Sequence, residues 1–132
     1  MAYLLDTNII SDLMRDPDGK VAANIARVGE TEVFTSILVS AEIRFGLAKK
    51  QSLALSQQFE KILTRLPVLE LTPAADETYA ELRRVLELRG EPIGATDMFI
   101  AAHAISLNYV LATANEREFS RVDGLKLENW LR

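Results

Sequence analysis

The fold of this chain is indicated near its start, by the stretch Ala2-Tyr3-Leu4-Leu5-Asp6-Thr7-Asn8. Residues 2–5 are apolar and have the length of a short buried strand. Thr and Asn follow, and both residue types favour helix starts, where they bind free backbone N–H groups. A strand that leads directly into a helix is typical of α/β proteins. Asp6 lies at the junction, where it either shapes the turn or acts as a functional acid.

Strands and helices continue to alternate along the rest of the chain. Strands separated by helices pair in parallel, so we expect an α/β fold of three layers. Its central, mostly parallel sheet has about five strands and is flanked by helices. Predicted strands cover residues 2–5, 32–35, 68–71, 109–113 and 125–128, and predicted helices cover residues 21–28, 37–50, 53–66, 73–89 and 95–107, besides one that begins near Thr7.

Two further acids lie in segments that are otherwise apolar. Glu42 has Leu38 and Phe45 as neighbours one helical turn away, which predicts that its side chain points towards the core. Asp97 opens a nearly charge-free segment, although a first-turn acid that favours the helix dipole is an equally simple interpretation. A buried carboxylate without a partner is costly. A shared divalent cation would satisfy Asp6, Glu42 and Asp97 together.

Topology predicts that these three acids meet. Asp6 ends the first strand, and Glu42 and Asp97 are expected near the starts of the helices that follow strands two and three. In open parallel sheets, ligands bind outside the carboxyl ends of the strands. After the fourth strand come Asn115 and Glu118, either of which could complete a cation site.

Composition limits the kinds of site and partner. The chain has 132 residues, which we interpret as one domain, with no cysteine and one histidine, His103, expected in a structural or surface role. A zinc site is therefore not expected, and oxygen ligands favour Mg²⁺, with Mn²⁺ as a substitute. Nucleic-acid-binding domains are usually basic, and the net charge of this chain is −4. The carboxylates of the expected site account for most of the excess of acidic over basic residues.

Other features exclude further classes of protein. The sequence contains no apolar stretch long enough for a membrane span and no secretion signal, so a cytoplasmic protein is expected. It also lacks a glycine-rich phosphate loop, which leaves an NTPase without support. Candidate phosphate contacts, each more simply explained as part of a solvated helix face, are Arg44, Lys49, Lys50, Arg83, Arg84 and Arg89.

The ordered set of these motifs resembles the PIN-domain family, and within it the VapC-type toxins of bacterial toxin–antitoxin pairs. Each motif is weak alone, but together they span the whole chain in order. The segments that carry the resemblance are Leu-Leu-Asp-Thr-Asn at 4–8, Ser-Ala-Glu-Ile-Arg-Phe-Gly at 40–46, Gly-Ala-Thr-Asp-Met-Phe-Ile-Ala-Ala-His-Ala at 94–104, Thr-Ala-Asn at 113–115 with Glu-Phe at 118–119, and Gly-Leu-Lys-Leu-Glu-Asn-Trp at 124–130.

The resemblance implies a Mg²⁺-dependent endoribonuclease that hydrolyses RNA phosphodiesters, of tRNA or another structured RNA, with water activated by the metal. Asp6, Glu42 and Asp97 match the acids of the family and are the expected catalytic residues. The expected metal ligands are these three acids with Asn115 and Glu118. The chain departs from the family pattern at Asn115, where many members carry Asp. The binding of a second metal ion depends on this position more than the binding of the first.

The resemblance also implies contacts with substrate and partners. Thr7, Asn8, Arg44 and Thr113 are the expected substrate-binding residues. A cognate VapB-like antitoxin is expected as inhibitor, in a homodimer or a toxin–antitoxin hetero-oligomer. We expect the helices at residues 53–66 and 73–89 to protrude and to bury spare apolar surface in such a dimer, through Leu55, Phe59, Tyr79 and Leu82.

Two alternatives belong to other functional classes. A Mg²⁺-binding signalling module would need a phosphorylatable Asp at the end of its central strand and a Lys near the last strand. The third predicted strand ends instead in Thr72-Pro73. A non-catalytic PIN-like scaffold is the second alternative, and the presence of all three acids argues against it.

Overall fold

A computed structural model describes residues 1–132, and its core is a five-stranded sheet whose strands all run parallel. The predicted α/β fold is confirmed, and the sheet is fully rather than mostly parallel. Most strands are shorter than predicted, by one residue in β1 and by two in β3, β4 and β5. They are β1 (Tyr3–Leu5), β2 (Val33–Ser36), β3 (Val68–Leu69), β4 (Val110–Ala112) and β5 (Leu127–Glu128).

Seven helices flank this sheet, and none combines the length and apolar character that a membrane span requires. A single 3₁₀ turn at Glu30–Glu32 was not predicted. Helices α5 and α6 pack on each other, whereas α3 contacts both α1 and α6. The helices are α1 (Thr7–Arg15), α2 (Lys20–Val28), α3 (Ile37–Lys50), α4 (Leu53–Leu63), α5 (Ala74–Leu88), α6 (Ala95–Leu107) and α7 (Glu116–Phe119).

The order of strands is β3-β2-β1-β4-β5, which places the first strand at the centre. The chain leaves β1 towards β2 on one side and reaches β4 on the other, so the direction of the strand order changes between β1 and β4. Leu5 pairs with Ala112 in this register, and the Asp6 N–H donates to the Ala112 carbonyl at 2.9 Å. Such a switch point forms the crevice where ligands bind in open parallel sheets.

Apolar packing holds this arrangement together from both sides of the sheet. Leu4, Leu5 and Leu111 are fully buried, as expected for central strands covered on both faces. The C-terminal Trp130 is also buried, with its ring 5.5 Å from that of Tyr3 and its Nε1–H donating to Glu128 Oε1 at 3.0 Å. The central strand is therefore enclosed by packed side chains where it leads to Asp6.

The expected dimer residues on α4 and α5 are wrong in part. Phe59 is fully buried and Leu82 is buried, so both face the interior of their own chain. Tyr79 is half-buried and stacks on Phe99 with ring centroids 3.9 Å apart. The amphipathic pattern of α4 and α5 is satisfied within the chain. The large apolar side chains that remain exposed are Met1, Ile37, Phe45, Leu53 and Leu88.

Candidate acidic site at the carboxyl edge of the sheet

Asp6 is a buried carboxyl group held by three hydrogen bonds. Its side chain accepts from the Thr7 N–H at 2.8 Å, from Thr113 Oγ1 at 2.8 Å and from Asn8 Nδ2 at 3.4 Å. Burial raises the pKa of Asp6 above its ordinary value, and these hydrogen bonds oppose the rise. The predicted position at the end of the first strand is confirmed.

Asp97 reaches the same edge by a route that was predicted incorrectly. Helix α5 follows β3, and Asp97 lies in the first turn of the next helix, α6, which leads into β4. A helix that leads into a parallel strand runs against the strand direction, so its start lies at the carboxyl edge. Burial raises the pKa of Asp97 to about 6, and the negative charges of Asp6, Glu42 and Glu118 add to the rise.

Glu42 was expected to point into the core, and this is wrong. It lies in the second turn of α3 and is exposed. Its apolar neighbours do not mark a buried face, since Phe45 is itself 65% exposed and Leu38 is only half-buried. Partial burial nevertheless raises the pKa of Glu42, with a further contribution from the charge of Asp6. Glu42 is therefore an acid at the rim of the site.

The segment after β4 contributes two side chains of different character. Glu118, on α7, lies close enough for its charge to raise the pKa of Asp97. Asn115 precedes α7, and its side chain makes no capping hydrogen bond, which leaves its amide oxygen available. Its backbone N–H donates to Thr113 Oγ1 at 3.0 Å. Glu118 thus adds to the negative charge around Asp97, while the amide oxygen of Asn115 is free to act as a ligand.

These four acids have no basic partner. The ion pairs of the molecule all join other residues, and none includes Asp6, Glu42, Asp97 or Glu118. The ligand atoms suit a hard divalent cation, because every side chain offers oxygen. The distances between the side chains do not yet suit one, because no three of the carboxyl groups are close enough to coordinate a single ion. Glu42 is exposed and Asp97 is half-buried.

The residues expected to bind substrate have other contacts. Asn8 and Thr113 hold Asp6, and Asn8 Oδ1 also accepts from the Ala114 N–H at 2.9 Å. Thr7 has a buried hydroxyl without a hydrogen-bond partner. Arg44 is directed away from the site, towards α4, where it pairs with Glu60 at 2.8 Å.

Most of the candidate phosphate contacts are also committed elsewhere. Arg83 pairs with Glu87, Arg84 with Glu81, and Arg89 with Asp123 on the outer surface of α5 and its end. Lys49 lies over the exposed ring of Phe45, with Nζ 4.7 Å from the ring centroid. Lys49 and Lys50 have no acidic partner.

Sequence reasoning missed one polar contact behind the site. The Oγ atom of Ser36, at the end of β2, lies 2.8 Å from Nδ1 of His103 on α6, and both residues are fully buried. The structural role predicted for His103 is confirmed, and burial lowers its pKa. A buried lone histidine between alanines was the available signal, but its partner is distant in the sequence.

The hydroxyl of Thr113 provides a direct test of what holds Asp6. Thr113→Val keeps the shape of the side chain but removes the hydrogen bond to Asp6 and leaves the Asn115 N–H without its acceptor. We expect the free energy of unfolding to fall by about 1–3 kcal/mol. The lost bond stabilises the carboxylate form, so the decrease should be larger at pH 8 than at pH 4. Urea unfolding at both pH values measures it, and equal decreases would contradict this role.

Comparison with known proteins agrees with this geometry. The pattern of the PIN domain family matches residues 3–125. The chain is 35% identical to Ribonuclease VapC2 of Rickettsia felis, covering 98% of each chain. It is 31% identical to the tRNA(fMet)-specific endonuclease VapC of Shigella flexneri, again over 98% of each.

A solved structure extends the likeness to three dimensions. The VapBC2 complex of Rickettsia felis, bound to a DNA fragment from its promoter, contains a chain that matches with a TM-score of 0.92 and 33% identity, covering 98% of this chain and 99% of that one. The two chains therefore share one fold over nearly their full lengths. With the family pattern matched over nearly its whole length, the chain belongs to the PIN-domain family, in the group of VapC ribonucleases.

Proposed function

We propose that this protein is a divalent-metal-dependent endoribonuclease, the toxin of a VapBC toxin–antitoxin pair. The observation that carries the proposal is the uncompensated charge at the carboxyl edge of the sheet. Burial, together with the charges of Asp6, Glu42 and Glu118, raises the pKa of Asp97 to about 6, and no Lys or Arg forms an ion pair with any of these acids. Acidic side chains held close together repel one another and destabilise the fold unless a cation binds between them.

Asp6, Glu42 and Asp97 would hold Mg²⁺ or Mn²⁺, with Asn115 or Glu118 as a further ligand. Asp6 would be the fixed member, because three hydrogen bonds orient it. Glu42 and Asp97 would move in to complete the set. When bound, the cation supplies a Lewis acid and lowers the pKa of attacking water. A carboxylate left uncoordinated accepts the proton of that water.

The substrate proposed is tRNA or another structured RNA. The support is the Shigella flexneri relative, whose name specifies tRNA(fMet). An acidic protein must concentrate its phosphate contacts locally. Lys49 and Lys50 are the candidates on α3, because neither is engaged in an ion pair and α3 also carries Glu42.

The partner proposed is a VapB-like antitoxin, in a toxin–antitoxin hetero-oligomer built on a homodimer. The support is that the Rickettsia felis relative was solved as a VapBC complex. An apolar groove of about 380 Å³ between α1, α2 and α4 offers a surface for this partner. Its apolar lining includes Leu13, Met14, Ala22, Ile25 and Ile62.

Cleavage of RNA in the presence and absence of metal tests the proposal. We expect the purified protein to cut total RNA with Mg²⁺ or Mn²⁺ and to lose this activity in a chelator. The products should carry 5′-phosphate and 3′-hydroxyl ends, because water rather than the RNA 2′-hydroxyl attacks. The matched control is Asp12→Asn, which removes an acid on α1 that only pairs with Arg15 at 3.6 Å and should cut normally.

The same experiment separates the proposal from its alternatives. A non-catalytic scaffold would leave RNA intact under every metal condition. A Mg²⁺-binding signalling module would bind the metal and still leave RNA intact. Cleavage that persists in the chelator would contradict the metal-dependent mechanism and leave the acids without the role proposed here.

A further inference from the structure

Two buried side chains join the helices that carry Glu42 and Asp97. Ser36 caps α3, with its Oγ accepting from the Leu38 N–H at 3.1 Å. The same Oγ lies 2.8 Å from Nδ1 of His103 on α6, and neither side chain is accessible to solvent. The hydrogen bond therefore connects α3 to α6 inside the core.

The two residues of the Ser36–His103 bond are equally far in sequence from the two acids. Ser36 precedes Glu42 by six residues, and His103 follows Asp97 by six. The carboxyl groups themselves are positioned by no hydrogen bond, since burial and neighbouring charges alone account for their raised pKa values. The separation of Glu42 and Asp97 is thus set by how α3 and α6 are held together.

The proton arrangement follows from the donors that Ser36 already satisfies. Its oxygen accepts from Leu38, so its own O–H is free to donate, and the only neighbour in place is Nδ1 of His103. The imidazole proton then lies on Nε2, which makes no hydrogen bond of normal geometry, although the Glu70 backbone carbonyl lies near enough to raise the pKa of His103 against the effect of burial. A phenyl ring would fill the same space but would offer Ser36 no acceptor. Packing alone therefore does not explain a histidine here, whereas an acceptor at Nδ1 does.

We propose that His103 is a positioning residue that, through Ser36, fixes the spacing of Glu42 and Asp97 and so sets the affinity of the site for a divalent cation. The proposal rests on the metal site proposed above. It assigns no contact between His103 and metal or RNA.

The two amide analogues of histidine distinguish positioning from packing. Asn places its amide oxygen near the position of Nδ1, whereas Gln places it near Nε2. We expect His103→Asn to bind Mn²⁺ nearly as tightly as wild type. His103→Gln and His103→Phe should bind it about 10-fold more weakly, the size of effect typical of groups behind a metal ligand. Titration of Mn²⁺ followed by electron paramagnetic resonance measures binding without RNA.

Ser36 supplies the second half of the test. Ser36→Ala should weaken Mn²⁺ binding at least as much as His103→Gln, because it also removes the cap of α3. The double variant should be no weaker than Ser36→Ala alone, because both changes break the same Ser36–His103 interaction. The matched control is Ile100→Ala, which removes a buried side chain from the same helix and should lower the melting temperature without changing Mn²⁺ affinity. Affinity that follows melting temperature across all variants would overturn the positioning role.

A distance measurement makes the result independent of metal binding. The chain has no cysteine, so spin labels at Lys50→Cys and Ala95→Cys report only the separation of α3 and α6. We expect one narrow distance distribution in wild type and His103→Asn, and a broader or displaced one in His103→Gln. Unchanged distributions would refute the proposal. An altered distribution in a protein that binds no Mn²⁺ would support the role of the bond in spacing α3 and α6 but overturn its role in cation binding, together with the proposed metal site.

Discussion

The Asp97→Asn variant is expected to lose RNA cleavage by on the order of 10³-fold and yet to melt at a higher temperature than wild type in metal-free buffer. The pKa of Asp97 is raised to about 6 by burial and by the charges of Asp6, Glu42 and Glu118. At pH 8 the ionised group therefore destabilises the fold. Solvent screens a half-exposed carboxyl group, so we expect a gain of about 1 kcal/mol, or about 3 °C.

The pH dependence of this gain has a definite sign. A carboxyl group with a raised pKa in the folded state favours folding when protonated, and its penalty appears as the pH rises. The advantage of Asp97→Asn should therefore be complete above the folded pKa of about 6 and vanish as the pH falls below the ordinary value of 3.8. Thermal melts across this range measure it.

Metal addition should reverse the order of stability. Mg²⁺ that binds only the native state stabilises by mass action, so it should raise the melting temperature of wild type more than that of Asp97→Asn. Glu81→Gln is the matched control, since Glu81 is an exposed acid that pairs with Arg84 and does not belong to the proposed metal site. Equal Mg²⁺ shifts for wild type and Asp97→Asn would show that Asp97 is not a ligand.

Expression of the wild-type chain alone is expected to arrest bacterial growth, and Asp6→Ala is expected to abolish the arrest. Asp6 is the fixed acid of the proposed site, and an alanine there leaves Glu42 and Asp97 without it. Colony counts after induction measure the effect, with immunoblots to establish that the variant accumulates. Asp12→Ala is the control, on the helix α1 that begins directly after Asp6, and it should remain toxic.

Co-expression of the proposed VapB-like antitoxin should relieve the arrest as completely as Asp6→Ala does. The two proteins should also co-purify. Ile25→Lys places a charge in the apolar groove between α1, α2 and α4, away from the acids. That variant should stay toxic and cleave RNA but escape the antitoxin. If expression of the wild-type protein is harmless and the purified protein leaves RNA intact with metal present, the toxin assignment is wrong.

Much of the fold could be predicted because the deciding signals are local. The apolar run before Asp6 predicts a strand, and the Thr and Asn that follow predict the start of a helix. Strands followed by helices recur along the chain, and this alternation predicts a parallel sheet. Strand order could not be predicted in the same way, since pairing of β1 with β4 depends on contacts between residues more than 100 positions apart. Asp97 was consequently assigned to the wrong crossover, although its edge of the sheet was right.

The candidate site was predicted less evenly. Chemistry identified the three acids, because carboxylates in apolar segments are conspicuous in any sequence. Burial of Glu42 was inferred from apolar neighbours, and this failed because Phe45 is exposed. The Ser36–His103 bond lay beyond sequence reasoning, since nothing in either segment identifies the other as its partner.

The central position of the first strand has a consequence for synthesis of the chain on the ribosome. A nascent chain that extends only to Tyr109 has its first strand but lacks β4, whose Ala112 carbonyl receives the Asp6 N–H. It also lacks Thr113, the hydroxyl donor to the Asp6 carboxylate. Long-range pairing of this kind forms late. The acids therefore cannot assemble before β4 and Thr113 have been synthesised, and under the proposed function a shorter nascent chain would not cleave RNA.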